Sequence, residues 1–340
     1  MKYAMKLLLA VLLLLSLPAS GWAQEPEDLL IPRTQLRAAI RAQELHTEVL
    51  MLDPNVVGTG VGAGARGQGV VKIFVKDARK GGLPDFLDGI PAEVEETGEI
   101  VALRQPRETE PLAVDRTARL DRPVPIGVST GHPLITAGTI GCRVTDGTDV
   151  YALSNNHVYA NSNKASIGDN VLQPGTYDGG RNPEDKIGTL DDFTLIEFSP
   201  YASNKIDAAI AKSSPADLGN ATPSDGYGTP RSATWPATVG LRVMKYGRTT
   251  GLTKGRIYAI NATVNVNYGP SSGTARFVNQ IVITPGTFSA GGDSGSLIVV
   301  ERGSNARKPV GLLFAGSSAV TIANPIDFVL APFGVTIDGE

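Results

Sequence analysis

From Ile126 onward the chain reads as short apolar runs separated by turn residues, and that spacing limits what it can fold into. The runs cover residues 138–144, 150–154, 193–198, 206–211, 241–246, 257–266, 277–283, 296–300 and 310–314. Turn signals such as Asp146-Gly147, Asp178-Gly179-Gly180 and Asp225-Gly226 stand between them, at the places where a chain reverses direction between strands. No helical period alternates with these runs, which argues against a parallel α/β sheet. Two packed or closed antiparallel units are expected instead. The 39 glycines and 23 prolines, with only 6% aromatic residues, point the same way. A short helix is expected over residues 326–333.

The first part of the chain has a different texture. Residues 1–23 read as a secretory signal: Lys2 and Lys6 form a positive end, residues 7–17 an apolar core, and Gly21-Trp22-Ala23 a small-residue cleavage site. The apolar run is too short to span a bilayer, so the mature chain is expected to begin near Gln24, to lack an integral membrane span, and to be secreted or periplasmic. Residues 24–120 read as a small α+β module and linker, either a pro-segment or an interaction domain placed to contact the larger domain behind it. Within it, residues 34–52 carry Ala38, Ala42, Leu45, Val49 and Leu52 at helical steps, with Thr34 as the expected N-cap. Strand-like runs come next at 56–61, 70–76 and 92–103. The glycines of Gly58-Thr59-Gly60-Val61-Gly62-Ala63 formally fit a dinucleotide fingerprint, but a strand comes after them rather than a phosphate-binding helix, and a glycine-rich hairpin is the better reading. His46, on the helix, has no ligand set near it. Residues 104–125, with four prolines and five arginines, read as an extended, accessible linker. The boundary is placed near residue 120.

The formal charge is −3 and falls to −5 without the leader's two lysines. No polybasic cluster remains, so nucleic acid and anionic membranes are poor partners. Cys142 is the only cysteine. No intramolecular disulfide can form, and its strand-like surroundings suggest a small buried apolar residue. No His/Cys/Asp/Glu set has metal-ligand spacing, and no cofactor is expected.

Chemistry concentrates in Gly291-Gly292-Asp293-Ser294-Gly295-Ser296, which runs into Leu297-Ile298-Val299-Val300. A turn of small residues delivers one hydroxyl to the head of a buried strand. Glycines let a substrate approach closely and leave backbone N–H groups free to face a developing negative charge. The plainer reading is a turn rich in Gly, Asp and Ser. A serine hydroxyl is a weak nucleophile without a base, and there are three histidines to consider. His157 closes the strand-like Tyr151-Ala152-Leu153-Ser154 and opens a polar segment, a good position on a cleft rim. His132, in Gly131-His132-Pro133, reads as a loop residue. An orienting acid is needed as well. Asp207 stands at the mouth of an apolar run, where a buried carboxylate needs a donor such as a histidine N–H. Asp191 and Asp192 are rivals in a turn that more often faces solvent.

The order His157, Asp207, Ser294, with steps of 50 and 87 residues, resembles the chymotrypsin-like (trypsin-like) serine proteases, in particular their bacterial secreted, α-lytic branch. Ser154-Asn155-Asn156-His157-Val158 resembles the family's histidine motif, Asp207-Ala208-Ala209-Ile210 its aspartate motif, and Gly292-Asp293-Ser294-Gly295 its serine motif. Tyr246-Gly247-Arg248-Thr249-Thr250-Gly251-Leu252-Thr253-Lys254-Gly255 is similar to a strand–turn segment of the α-lytic branch. The resemblance spans about residues 125–335. It implies an all-β catalytic part over residues 121–340, made of two six-stranded antiparallel β-barrels behind the small α+β module. It further implies an exported serine endopeptidase acting on protein or peptide substrates, with Ser294 attacking, His157 shuttling the proton, Asp207 orienting His157, and the N–H groups of Gly292 and Ser294 forming an oxyanion hole.

The departures from the pattern carry their own expectations. Phe288 stands where the trypsin branch has an acidic specificity residue, and Phe314, Ala315 and Gly316 match the segment that binds substrate backbone. An apolar or partly filled specificity pocket is the consequence. The family's disulfides are absent, so the barrels hold by packing alone. Its activating N-terminus is also missing, with Pro123-Val124-Pro125-Ile126-Gly127 roughly in its place. Asp293 therefore needs another partner, since an unpaired buried carboxylate costs several kcal/mol. Two other functions compete: a catalytically silent scaffold acting as a binding module, and a serine esterase of the α/β-hydrolase kind. The esterase requires Gly-x-Ser-x-Gly between strand and helix; Gly292-Asp293-Ser294-Gly295 lacks that spacing, and the strand-like residues 297–300 follow directly.

Overall fold

A computed structural model of the chain describes residues 31–103 and 114–340. The signal-like residues 1–23 and the first part of the linker lie outside the described residues. Among those described, no helix is long and apolar enough to cross a membrane.

The later strands close on themselves. Arg242–Gly247 pairs with Leu297–Val300, and the ladder continues through Pro309–Gly316, Thr321–Pro325, Thr274–Thr284 and Gly251–Asn267 back to Arg242–Gly247, every pairing antiparallel. One face of these strands gathers Val243, Ile257, Ile283, Ile298 and Leu313 in one apolar cluster, while the alternate residues Leu297, Val299 and Leu312 pack in the cluster of the earlier strands. The earlier strands form a second antiparallel sheet of six: Asn170–Leu172, Lys186–Phe193, Ala209–Ser213, Val150–Ser154, Cys142–Thr145 and Thr336–Ile337. The pair Ser129–Thr130 with Gly138–Thr139 and the Gly131–Leu172 bridge carry this sheet round. The architecture is thus all-β, with a small α+β piece in front.

Several expectations need correction. The run 193–198 is not a strand. Lys186–Phe193 is, and beyond it Asn163 and Asn156 bind the backbone at Ile196 and Thr194 in place of a neighbouring strand. The short helix expected over residues 326–333 is present, as the α-helix Ile326–Leu330 continued by the 3₁₀ turn Ala331–Phe333. Where the linker is described it is only partly accessible: Arg116 is buried, and its guanidinium donates to the carbonyls of Arg248 and Thr249.

In the front module, the helix Arg33–Leu50 begins after Pro32 and has no side-chain cap, so Thr34 is not the N-cap. Its expected apolar stripe is wrong as well. Leu45, Val49 and Leu52 are 60%, 68% and 71% exposed, while Ala39, Ala42, Gln43, Thr47 and Leu50 face inward. The helix lies on the glycine-rich strand Val56–Ala63, whose closeness selects small and hydrogen-bonding side chains: Gln43 and Thr47 both bond to Thr59. That strand also pairs antiparallel with Gly251–Asn267 of the closed ring, Gly58 opposite Val264 and Gly62 opposite Ala259. A Cβ on Gly58 would lie 2.5 Å from the Thr263 carbonyl oxygen. Gly58 therefore serves close approach between paired strands, and the module's strands continue the ring's long hairpin as one sheet.

Candidate active site

The three predicted residues come from three different elements. His157 sits in the single helical turn Asn156–Tyr159 directly after the strand Val150–Ser154. Asp207 precedes Ala209–Ser213, the neighbour of that strand. Adjacent strands thus bring the two side chains together: His157 Nδ1 lies 2.6 Å from Asp207 Oδ2, and the His157 backbone N–H donates to Oδ1 at 3.1 Å. Asn155 donates to the Asp207 carbonyl, and Asn324 accepts its N–H. Tyr268, which the sequence reading missed, donates its hydroxyl to Asp207 Oδ2 at 2.7 Å and packs edge-on against the imidazole. Burial alone would push the Asp207 carboxyl up. The facing imidazole's charge and hydrogen bond, with the Tyr268 donation, outweigh burial and hold it below the usual carboxylate value. An ionised carboxylate only accepts, so Nδ1 carries a proton, and the neutral form of the ring has its lone pair on Nε2.

Ser294 lies between Gly292 and Gly295, at φ 95° and 93°, where side chains are strained. A Cβ on Gly295 would also sit 2.2 Å from Ser154 Oγ. The Ser294 hydroxyl donates to the Leu103 carbonyl at 3.1 Å and to the Phe314 carbonyl at 3.4 Å. His157 Nε2 is buried and makes no hydrogen bond to any described residue. Leu103, which accepts from Ser294, lines one cleft together with His157, and no hydrogen bond joins the serine to His157 Nε2 in this state.

The Leu103 carbonyl also accepts the Gly292 N–H at 3.0 Å. The structure does not bring the Ser294 N–H to it. The backbone leading to this carbonyl is laid as an extra strand. Ala102 pairs with Ala315 and Val101 with Gly316, antiparallel, while Val101 runs parallel to Asn267 on its other side. The Leu103 N–H donates to Phe314 O and the Asn267 N–H to Ile100 O. Leu103 shares an apolar cluster with Phe288, whereas the Phe314 side chain packs with Ile100 and Ala102 in another. Phe288 and Gly316 accordingly flank Leu103, and Phe314 reaches it by its backbone.

The partner of Asp293 is Lys245, with both side chains at 0% exposure and Nζ 3.3 Å from Oδ2. Four further donors hold the carboxylate: the N–H groups of Thr249, Thr250 and Ala290 and the Thr250 hydroxyl. Burial pushes the Lys245 ammonium below its usual value, and Asp293 opposes this. A Cβ on Gly247 would lie 2.5 Å from Asp293 Oδ1. The turn Gly247 to Gly251 is therefore a carboxylate cradle, and it fixes the loop carrying Gly292. A lysine inside an otherwise apolar strand, Val243-Met244-Lys245-Tyr246, was the signal that could have revealed it.

The remaining candidates lie apart. His132 pairs with Asp169 and accepts the Leu134 N–H, and His46 faces Asp88. Asp191 and Asp192 are exposed. Cys142 is buried and unpaired, and burial pushes its thiol up, away from the thiolate.

Against known proteins, the model of the Nal1 C-terminal domain matches residues 230–323, less than half of the chain. Nothing matches among curated proteins. The chain is similar in structure to chymotrypsin-like bacterial serine proteases. One is a glutamic acid-specific serine protease described as using a histidine triad in substrate binding (24% identity, TM-score 0.45, 63% of this chain and 100% of that one). Another is Thermobifida fusca Protease A (20%, 0.45, 64% and 100%), and a third is an alpha-lytic protease homolog, N4 (20%, 0.44, 63% and 99%). What the site can do rests on its own distances.

Proposed function

We propose that the chain is an exported serine endopeptidase, its leader at residues 1–23, working through an acyl-enzyme. The observation that carries this is the placement of a peptide carbonyl, that of Leu103, between the Gly292 N–H and the Ser294 hydroxyl, in the site where His157 is oriented by Asp207. In the proposed reaction Ser294 Oγ turns from its carbonyl acceptors toward His157 Nε2, gives up its proton there and adds to the scissile carbonyl. Hydrogen bonds of this kind often tighten only in the reacting complex. Asp207 stabilises the imidazolium, and Gly292 steadies the oxyanion, each donor of that kind being worth about 3 kcal/mol. His157 then passes its proton to the leaving amine, and water repeats the sequence on the ester. The backbone of Phe314, Ala315 and Gly316 aligns the substrate strand, and Phe288 lines the specificity pocket.

One observation favours the silent-scaffold reading, namely the missing bond between Ser294 and His157 Nε2. Peptide hydrolysis by purified wild-type protein and by Ser294→Ala separates the two. The proposal expects hydrolysis that the substitution abolishes. Equal rates for the two proteins would leave the scaffold.

A further inference from the structure

The linker carries a buried cation that the chemistry above leaves without a task. Arg116 is 2% exposed, whereas the side chain of Arg119, three residues on, is 53% exposed. The Arg116 carbonyl accepts the Ser129 N–H at 2.9 Å, which ties its backbone to the earlier strands. Its guanidinium crosses to the closed ring and lies over the Tyr246 ring, 5.8 Å from the centroid. There it donates twice, from Nε to the Arg248 carbonyl at 3.3 Å and from Nη2 to the Thr249 carbonyl at 3.1 Å. Two successive carbonyls suit the rigid fork of a guanidinium. Gly251, at φ 62°, leaves room for it, since a Cβ there would lie 2.9 Å from Arg116 Nη1.

Those two carbonyls belong to the two peptide groups whose N–H ends face Asp293. One peptide runs from the Arg248 carbonyl to the Thr249 N–H, which donates to Asp293 Oδ1 at 2.9 Å. The next runs from the Thr249 carbonyl to the Thr250 N–H, which donates to the same oxygen at 3.2 Å. Each peptide dipole thus lies between a guanidinium and a carboxylate with its positive end on the carboxylate, and hydrogen bonds chained in this way polarise one another. The same turn also grips the loop of the nucleophile. Thr249 Oγ1 donates to the Gly291 carbonyl at 2.7 Å. The Arg248 N–H donates to Thr139 Oγ1, which donates in turn to the Gly292 carbonyl at 2.8 Å. A shift of this turn therefore moves residues 291–293 with it.

We infer that Arg116 is a second counter-cation of Asp293, acting through two peptide groups where Lys245 acts by contact, and that it is a positioning residue for the Gly292 N–H. The inference rests on the endopeptidase reading above. Lys245 reaches Asp293, the Thr250 hydroxyl and the Gly251 carbonyl from inside the ring, while Arg116 holds the opposite ends of the same peptides from the linker. The two cations are near each other: burial pushes the Lys245 ammonium down, and the Arg116 charge adds to that. The catalytic unit accordingly begins no later than Arg116, upstream of the boundary that composition suggests near residue 120. Gly292 donates to an oxyanion that exists only in the transition state, so a displaced turn lowers kcat and leaves KM nearly unchanged.

The test uses the full-length chain, wild type and Arg116→Met, with peptide hydrolysis expressed per site labelled to completion by a fluorophosphonate. Methionine keeps an apolar stem over Tyr246 and removes the fork. The expected result is a kcat lower by about tenfold or more, with KM within about threefold of wild type. Arg119→Met breaks the ion pair to Asp185 in the same linker and is expected to keep the wild-type kcat. Should Arg116→Met fail to fold, Arg116→Lys retains the charge without the fork and is expected to lose several-fold in kcat. A wild-type kcat per labelled site in Arg116→Met, or in Arg116→Lys where Arg116→Met does not fold, overturns the inference. A loss carried by KM alone, or an equal loss of kcat in Arg119→Met, overturns it as well, and each of these leaves the endopeptidase standing. Wild-type protein that hydrolyses no peptide and takes no fluorophosphonate on Ser294 removes the endopeptidase reading itself.

Discussion

Lys245 and Lys72 are both lysines withdrawn into the sheet of this protein, and they hold different parts of it. Lys245 meets Asp293 where neither side chain touches solvent. Lys72, in the front module, is nearly buried, but its partners Glu93 and Glu95 are 36% and 34% exposed, and its third bond goes to Tyr258 on the closed ring. Burial would lower the Lys72 ammonium, yet those three bonds outweigh it and raise it. Arg276 of the ring takes the exposed Glu48 of the module helix in the same fashion. A sealed pair is costly to break because a charge is left without water. A pair with one wet partner is not, since water replaces the lost contact. The loop that carries Gly292 and Ser294 is therefore held by a sealed pair, and the seam with the front module by ion pairs that each keep one wet partner.

The comparison can be pressed hardest at the other sealed carboxylate. Asp207→Asn keeps the shape of the site but favours the wrong imidazole tautomer, and turnover is expected to fall by about 10⁴ in a peptide assay. Next in size, Lys245→Met strands Asp293 and is expected to cost about 3–5 kcal/mol in chemical denaturation, with activity lost through the displaced Gly292. If Lys72→Met costs as much, the distinction between the two lysines fails.

Acid tests the sealed carboxylate of Asp207. The Asp207 carboxyl is depressed in the folded state, so its contribution is present above the ordinary carboxylate pKa and is lost as pH falls through the folded value. Unfolding free energy should drop between about pH 4 and lower values, and the drop should be smaller in Asp207→Asn. A smaller effect is expected from Tyr268→Phe, which removes one donor from Asp207 and keeps the ring against His157. The loss is about 1 kcal/mol, or several-fold in turnover, and Leu103 should stay in the cleft. Smallest of all, Lys72→Met should cost about 1 kcal/mol or less in denaturation.

The candidate site residues were legible because chemistry and position agreed. With three histidines in the chain, one at the end of a buried strand, the base could be named from local pattern, and Asp207 and Ser294 stand at strand mouths for the same reason. Tyr268 was not legible: it reaches Asp207 from the far end of a long hairpin, 61 residues away, and no local pattern marks it. The helix stripe failed because periodicity counts apolar residues, whereas the inner helix face meets the Thr59 hydroxyl, which Gln43 and Thr47 bond, and Gly69, where a Cβ would lie 2.9 Å from the Gln35 carbonyl oxygen. The junction of the front module with the closed ring pairs Gly58 with Val264, a separation that propensity cannot see. Lys245 was visible as a charge inside an apolar strand, but nothing in the local sequence marks Asp293 as its partner.

The central claim is that His157, Asp207 and Ser294 act as one unit, and its most direct measure is the rate at which a fluorophosphonate labels Ser294 in the full-length chain. The account predicts an adduct mapped to Ser294 in wild type, with labelling slowed by about 10³ or more in His157→Ala. Labelling of the wild type no faster than that of His157→Ala, in protein shown to be folded, would contradict it.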